Sequence, residues 1–390
     1  MPLAQKRIVY LDYSATTPVD SRVLDAMWPY FRELYGNPSS AHGYGKAAQQ
    51  AVEAARQTLA RLLHCRESEI VFTSGGTESD NLAIRGVAYA CRDKGRHIIT
   101  SQVEHAAVLK TCHRLEKEGF AVTYLPVDTF GRVDPDRVAT ALRKETILIS
   151  IIHGNNEVGT INPIPEIGAI ARQHGIPFHT DAVQSFGKVS FNLEEMPIDL
   201  LSISSHKIYG PKGVGALFIR RGTPIQPILT GGGHEMGKRA GTHNVPGIVG
   251  LARAAEIIIT DLETERRKIE TLRDYFWEQL QKRIDNVLLN GHPENRLYHN
   301  LNISFPGCDG EALLIALDMF GIAVSTGSAC QSGSVEPSHV LKAMGLDNDR
   351  RTSALRFTLG RYTTRQEIDY TLQVLEQIVP QQRTVQKKRS

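Results

Sequence analysis

The chain has 390 residues, enough for two folding units, since domains run to roughly 100–200 residues and single cores stop growing at about 250–300. Apolar residues at 41% and charged residues at 22% can build an ordinary globular core and argue against disorder. A net charge of +3, with bases scattered among acids, leaves no stripe to follow a phosphate backbone and sets nucleic acid aside as a direct partner.

The N-terminal stretch MPLAQKRIVYLDYSATTPVD lacks the apolar core of a signal peptide. The sequence also contains no apolar run of about 18 residues. The expectation is a cytoplasmic protein without a membrane anchor. Its cysteines, Cys65, Cys91, Cys112, Cys308 and Cys330, are odd in number and lack framework spacing, which fits reduced thiols.

From residue 69 onward, short β-branched runs alternate with helical stretches. EIVFTS precedes ESDNLAIRGVAYACRDKG, HIITS precedes HAAVLKTCHRLEKEG, and TILISIIH precedes PIPEIGAIARQHG; the strands PFHTDA, LLSISSH and VGALFIR come next. This rhythm predicts an α/β unit with a mainly parallel sheet, whose ligands collect beyond the carboxyl ends of the strands. From Ile248 to about Ile284 the pattern becomes one long charged amphipathic helix, after which shorter elements resume. A large domain is therefore expected at 17–260, with a smaller one at 261–380 that takes in residues 1–16. The polar, basic stretch 381–390 reads as a mobile, solvated tail.

The residues just beyond each strand carry the chemistry. After EIVFT comes Ser74-Gly75-Gly76-Thr77-Glu78-Ser79, opening a helix. Free N–H groups there attract anions, although a glycine turn with a threonine cap is equally common as plain punctuation. After LLSIS comes Ser205-His206-Lys207; an ammonium at the end of a core strand is costly to bury, so this lysine is more informative than one on a helix face. The strand PFHTDAVQ ends at Asp181, with Gln184 three residues later, and a carboxylate in that apolar setting needs a cationic or protonated partner. A cofactor with a phosphate, an aldehyde and a basic ring nitrogen satisfies all three strand ends, and pyridoxal 5'-phosphate is that cofactor. His105 in SQVEHAAV and Asn156 in HGNNEVGT lie beyond two further strands on the same edge. Cys330, alone in VSTGSACQSGS, is open to two readings, a small packing residue or a nucleophile on a loop.

The set LDYSATTPV, YGNPSSAH, FTSGGTESDNLAI, EHAAV, NNEVGTINPI, HTDAVQ, SSHKIYGPKGVGALF, GGGHEMGKRAGTHN, STGSACQSGSVEPSHVLKAMG and LRFTLGRYTT resembles the cysteine desulfurases. These are fold-type I pyridoxal-phosphate enzymes of the class-V aminotransferase family. The resemblance spans nearly the whole chain with the motifs in the family's order. It implies a fold-type I transferase with a seven-stranded sheet in the large domain and a smaller α+β domain. It further implies that Lys207 bonds the cofactor's aldehyde carbon, Asp181 holds the ring nitrogen, Gln184 touches the phenolic oxygen, and His105 stacks on the ring and takes part in catalysis. Asn156 would touch cofactor and substrate; Gly76, Thr77, Ser204 and His206 would hold the phosphate, with Thr242 reaching it from the other subunit of a homodimer. Arg356 would grip the substrate carboxylate. Cys330 would take the sulfur of L-cysteine as a persulfide, leaving alanine, and pass it to sulfur-acceptor or iron-sulfur scaffold proteins. No resident metal is implied, only a transient iron-sulfur contact through Cys330. An aminotransferase, selenocysteine lyase or cystine lyase of the same fold is the rival enzyme, and a docking platform with little activity alone the rival of another class.

Overall fold

The computed structural model describes residues 8–326 and 338–387. Strand β1 (Val9–Tyr10) stands at its start. Strands β2 (Ile70–Thr73), β3 (His97–Ser101), β4 (Ala121–Leu125), β5 (Thr146–Ser150), β6 (Phe178–Asp181), β7 (Leu200–Ser204) and β8 (Gly215–Ile219) make a seven-stranded sheet in the order β2-β8-β7-β6-β5-β3-β4. Pairing is parallel from β4 across to β7, and β8 runs antiparallel to both its neighbours.

Because side chains alternate across a strand, continuous apolar runs feed two cores at once. Val71, Ile98, Leu148, Leu200 and Leu217 enter one core with the helices Gly76–Cys91 and Ala106–Lys117. Their neighbours Phe72, Ile99, Ile149, Leu201 and Phe218 enter the opposite core with the helices Gly43–Leu63, Ile164–Gln173 and Val245–Thr260. A sheet buried on both faces leaves its strand ends as the place where its polar groups can meet a ligand. The strand without a counterpart in the sequence reading is β4, an edge strand whose first four residues are exposed or half-buried, which dilutes the apolar signal.

The remaining chain builds a second core. Strands β9 (Leu288–Asn290), β10 (Asn300–Ser304) and β12 (Ala354–Thr358) form an antiparallel sheet in the order β12-β10-β9, while β11 (Ile322–Ala323) pairs in parallel with β1. Val9 and Leu11 therefore pack with Ile269, Phe276, Phe357 and Leu372, far along the chain.

Two expectations are corrected. The single helix expected from Ile248 to about Ile284 is two, Val245–Thr260 and Leu262–Arg283, interrupted at Asp261. The reason is packing: Ile257 and Ile258 belong to the core of the large sheet, whereas Leu262 and Ile269 belong to the second core, and one straight apolar stripe cannot face both. The stretch from residue 381 is helical as far as Lys387, continuing the helix Arg365–Lys387 past Pro380. Arg383 secures it by donating to the carbonyls of Pro306, Asp285 and Asn286.

Candidate active site

Lys207 ends a short 3-10 turn, Ser205–Lys207, directly after β7. Its Nζ donates to the carbonyls of Ser14 (2.5 Å) and Ala15 (2.9 Å). Those carbonyls come from the N-terminal segment, which the second core holds in place: the Ser14 N–H donates to Thr358 Oγ1 and its hydroxyl meets His299 Nε2. Gln184 Nε2 donates to the same Ser14 carbonyl, leaving Gln184 Oε1 buried without a hydrogen-bond partner.

Asp181, the last residue of β6, is 4% exposed, and its carboxylate accepts from the Val183 N–H. Burial pushes its carboxyl upward, while His105, that N–H and Lys207 pull it back down. His105 caps the helix Ala106–Lys117 by accepting the Ala107 N–H at Nδ1 (3.2 Å). That bond leaves the ring proton on Nε2 of a neutral imidazole, and burial depresses its basicity further, with Asp181 opposing. Ligand atoms of Asp80, His105 and Asp181 all lie within 4.8 Å of one another.

On the other side, Gly75 starts the helix Gly76–Cys91 with φ +147°, a conformation only glycine adopts readily, and no side chain caps the helix. A Cβ at Gly76 would sit 2.6 Å from Val183 Cγ2 and 3.7 Å from Ser204 Cβ. The uncapped first turn thus faces the end of β7, a cradle suited to an anion. His206 Nδ1 lies 3.1 Å from Thr16 Oγ1, and burial together with Lys207, Lys212 and Lys188 pushes its basicity down to about 4, which favours the neutral imidazole. Thr77 lies in the same first turn, and its carbonyl accepts from Asn81. Glu78 Oε2 accepts from Ser74 N–H, and Glu78 pairs with Arg239 at 2.8 Å, tying the turn to the loop that carries Thr242. Thr242 itself is exposed. The root of that loop is Glu235, whose φ of +47° is followed by +56° at Met236. Two non-glycine residues in that region are strained, and Arg56, His243 and the Phe72 N–H all grip the Glu235 carboxylate.

Arg356, in β12, is 4% exposed. One arm of its guanidinium donates to the Asn156 carbonyl (2.9 Å) and the other to Asp12 Oδ1 (2.7 Å), while its Nε is buried without a partner. A surface ion pair is therefore not what holds it. Cys330 lies outside the described residues, yet the two flanks of 327–337 are visible. Ser325 pairs with Arg356 through both backbone bonds, Ser338 Oγ donates to Glu157 Oε2, and His339 Nε2 meets the Glu104 carbonyl. Both flanks are fixed to the strand-end edge that holds Asn156 and His105.

The family model for class-V aminotransferases matches residues 9–371. The chain belongs to the class-V aminotransferase family. Within that family it is similar to the cysteine desulfurase IscS of Dictyoglomus turgidum, 54% identical over 97% of this chain and 96% of the relative. It is likewise similar to the cysteine desulfurase IscS of Methanosarcina thermophila, 52% identical over 98% and 94%. Among solved structures, a NifS-like protein superposes with a TM-score of 0.91 at 42% identity, covering 96% of this chain and all (100%) of that one. The structure of SspA in complex with cysteine gives a TM-score of 0.82 at 40% identity over 91% and 100%. This class-V chain is a cysteine desulfurase by kinship. Its fold is the expected one, with a large mainly parallel sheet and a smaller α+β unit.

The sequence reading missed several residues of the site. Asp12 and the Ser14 and Ala15 carbonyls were invisible because two of the three are backbone groups. Asp80 and Glu104 are carboxylates 1% and 0% exposed beside Asp181. For Asp80 a signal existed: it shares a helical face with Ala83, Ile84 and Val87, all buried.

Proposed function

We propose that this cysteine desulfurase moves the sulfur of L-cysteine onto Cys330 with pyridoxal 5'-phosphate as its cofactor. The observation that carries the reading is the pairing of Ser325 with Arg356, which joins the flank of the Cys330 segment to the edge holding Lys207, Asp181 and His105. The residues fit the cofactor: an amine for the aldehyde, a buried carboxylate for the ring nitrogen, the Gln184 amide, whose Nε2 would donate to the phenolic oxygen once released from the Ser14 carbonyl, and the Gly76, Thr77, Ser204 and His206 cradle for the phosphate. When bound, the cofactor supplies an electron sink for charge developing at the substrate carbon.

Each residue then has a task. Arg356 takes the substrate carboxylate in exchange for Asp12, next to Asn156. Lys207 moves the proton at the α-carbon, from a position already steadied by two carbonyls. His105, neutral and protonated at Nε2, would face the ring when the cofactor is bound and would move protons there. The Cys330 thiolate attacks the substrate sulfur: a sulfur-sulfur bond forms, the carbon-sulfur bond breaks, its electron pair stays with the carbon fragment, and a proton completes alanine. The persulfide on Cys330 then passes to acceptor proteins of iron-sulfur assembly.

In this reading residues 17–260 are the cofactor-binding unit, and 1–16 with 261–380 the unit that presents Cys330. A homodimer places Thr242 at the phosphate of the opposite subunit. Among the described residues no helix is long and apolar enough to cross a membrane, in keeping with a cytoplasmic enzyme.

The test is to incubate the yellow holoenzyme with L-cysteine and a reductant and to quantify sulfide and alanine together. Equal amounts from the wild type and neither from Cys330→Ala are expected. Pyruvate in place of alanine, or a Cys330→Ala variant as active as wild type, would overturn the reading in favour of elimination or transamination.

A further inference from the structure

Asp80 is a carboxylate without a cation. It lies one turn into the helix Gly76–Cys91, 1% exposed, and its Oδ1 has no hydrogen-bond partner. Among the described residues its one neighbour at ion-pair range is His179, whose Nε2 is 3.6 Å from that oxygen. His179 cannot supply a charge. Both its nitrogens are engaged, Nδ1 with Ser150 Oγ (2.8 Å) and Nε2 with Ser202 Oγ (3.0 Å), and its complete burial pushes its basicity down to about 3. Ser202 also lies close to Asp80, where it opposes the effect of burial. Hydrogen bonds therefore run from Ser150 through His179 to Ser202, next to Asp80, which in turn stands beside Asp181; Glu104 is near both acids, its own carboxyl pushed up to about 8 chiefly by burial.

Two adjacent buried carboxylates cannot both be ionised without a cation between them. Asp181 faces the groups that favour charge: His105, Lys207 and the Val183 N–H. Asp80 faces Asp181, Glu104 and a neutral imidazole. Resting on the reading of Asp181 as partner of the ring nitrogen, we propose that Asp80 is a positioning residue held as a neutral carboxylic acid, so that the pair carries one negative charge and that charge stays on Asp181. Burial and the nearness of Asp181 both push the Asp80 carboxyl upward, in agreement with this assignment. Ser202 is engaged with His179 at 3.0 Å, and Asp80 Oδ1 is left without a hydrogen-bond partner beside Asp181.

Infrared spectra of the holoenzyme at neutral pH, made with isotope-labelled aspartate, test the proposal directly. A carbonyl band of a protonated acid is expected in the wild type and should vanish in Asp80→Asn. Its absence from the wild type, or its persistence in Asp80→Asn, overturns the assignment. A second readout is cofactor binding to the apoenzyme as a function of pH. A neutral Asp80 predicts that Asp80→Asn leaves the acid limb of binding in place and that Asp80→Ala weakens affinity, on the order of tenfold. A fall of the acid limb to lower pH in Asp80→Asn would mean that a negative charge had been removed, and would overturn it. Asp181→Ala binding the cofactor as tightly as wild type would overturn the reading of Asp181 as the ring-nitrogen partner, a failure distinct from that of the proposal, whose own readout is the carbonyl band of the protein with Asp181 intact.

Discussion

Arg356 Nη2 lies 2.7 Å from Asp12 Oδ1, so the guanidinium read as the substrate's anchor already holds a carboxylate from its own chain. The pair is largely buried, at 5% and 17% side-chain exposure, and it joins the N-terminal segment to β12. In the proposed function, substrate binding at Arg356 is an exchange of one carboxylate for another.

That exchange sets the outcome of two substitutions. Arg356→Lys keeps the charge but loses the planar fork, and KM for L-cysteine should rise on the order of tenfold with a smaller change in kcat. Asp12→Asn removes the competing carboxylate, so KM should fall or hold. Steady-state kinetics decide, and a rise in KM for Asp12→Asn would mean that Asp12 orients Arg356 rather than competing for it.

Lys207→Ala should abolish both the visible absorbance of the bound cofactor and all turnover. A variant that still consumes cysteine would show that the amine at the end of β7 is not the reacting one.

The Arg56–Glu235 clamp predicts an acid-sensitive loop. Burial alone would raise the Glu235 carboxyl, but Arg56 and His243 hold it down at about 2, below its ordinary 4.5. Stability from this group is present above about 4.5 and is lost as pH falls through about 2. Glu235→Gln leaves Arg56, buried at 7% exposure, with only the half-exposed Glu53 as its anion, costing about 3 kcal/mol, and should flatten the acid limb of a Tm-against-pH curve. An unshifted Tm at neutral pH would show that the strained turn holds without the clamp.

Ser338 is bonded to Glu157 at one flank of the Cys330 segment. Ser338→Ala should slow sulfide release several-fold while leaving the cofactor's spectrum unchanged. A changed spectrum with normal sulfide release would assign this contact to the cofactor pocket instead.

Much of this site was legible because parallel strands buried on both faces confine polar chemistry to their ends, and Lys207, Asp181 and His105 stand at such ends in the linear text. Gly76 and Ser204 were readable for the same reason, and the structure brings them together. The rest depends on partners remote in sequence. Ser14 contributes through its carbonyl, which any residue type possesses. Asp12 meets Arg356 across 344 positions, a pairing no local pattern encodes. Asp80 reads as a solvated acid among Glu78, Ser79 and Asn81 unless the helical face it shares with Ile84 is counted. The break at Asp261 was hidden because both helices carry the same periodicity and differ only in which core receives them.

The fixing of both flanks of residues 327–337 to the site has a kinetic meaning. In the proposed reaction the attacking thiol is tethered to the site through these two flanks. For a tethered thiol the relevant quantity is a local concentration, on the order of millimolar for short linkers, and not the amount of enzyme in solution. In that proposed reaction the first sulfur transfer is independent of dilution, while handing the sulfur on to a second protein would be a true encounter whose rate depends on the concentration of that protein.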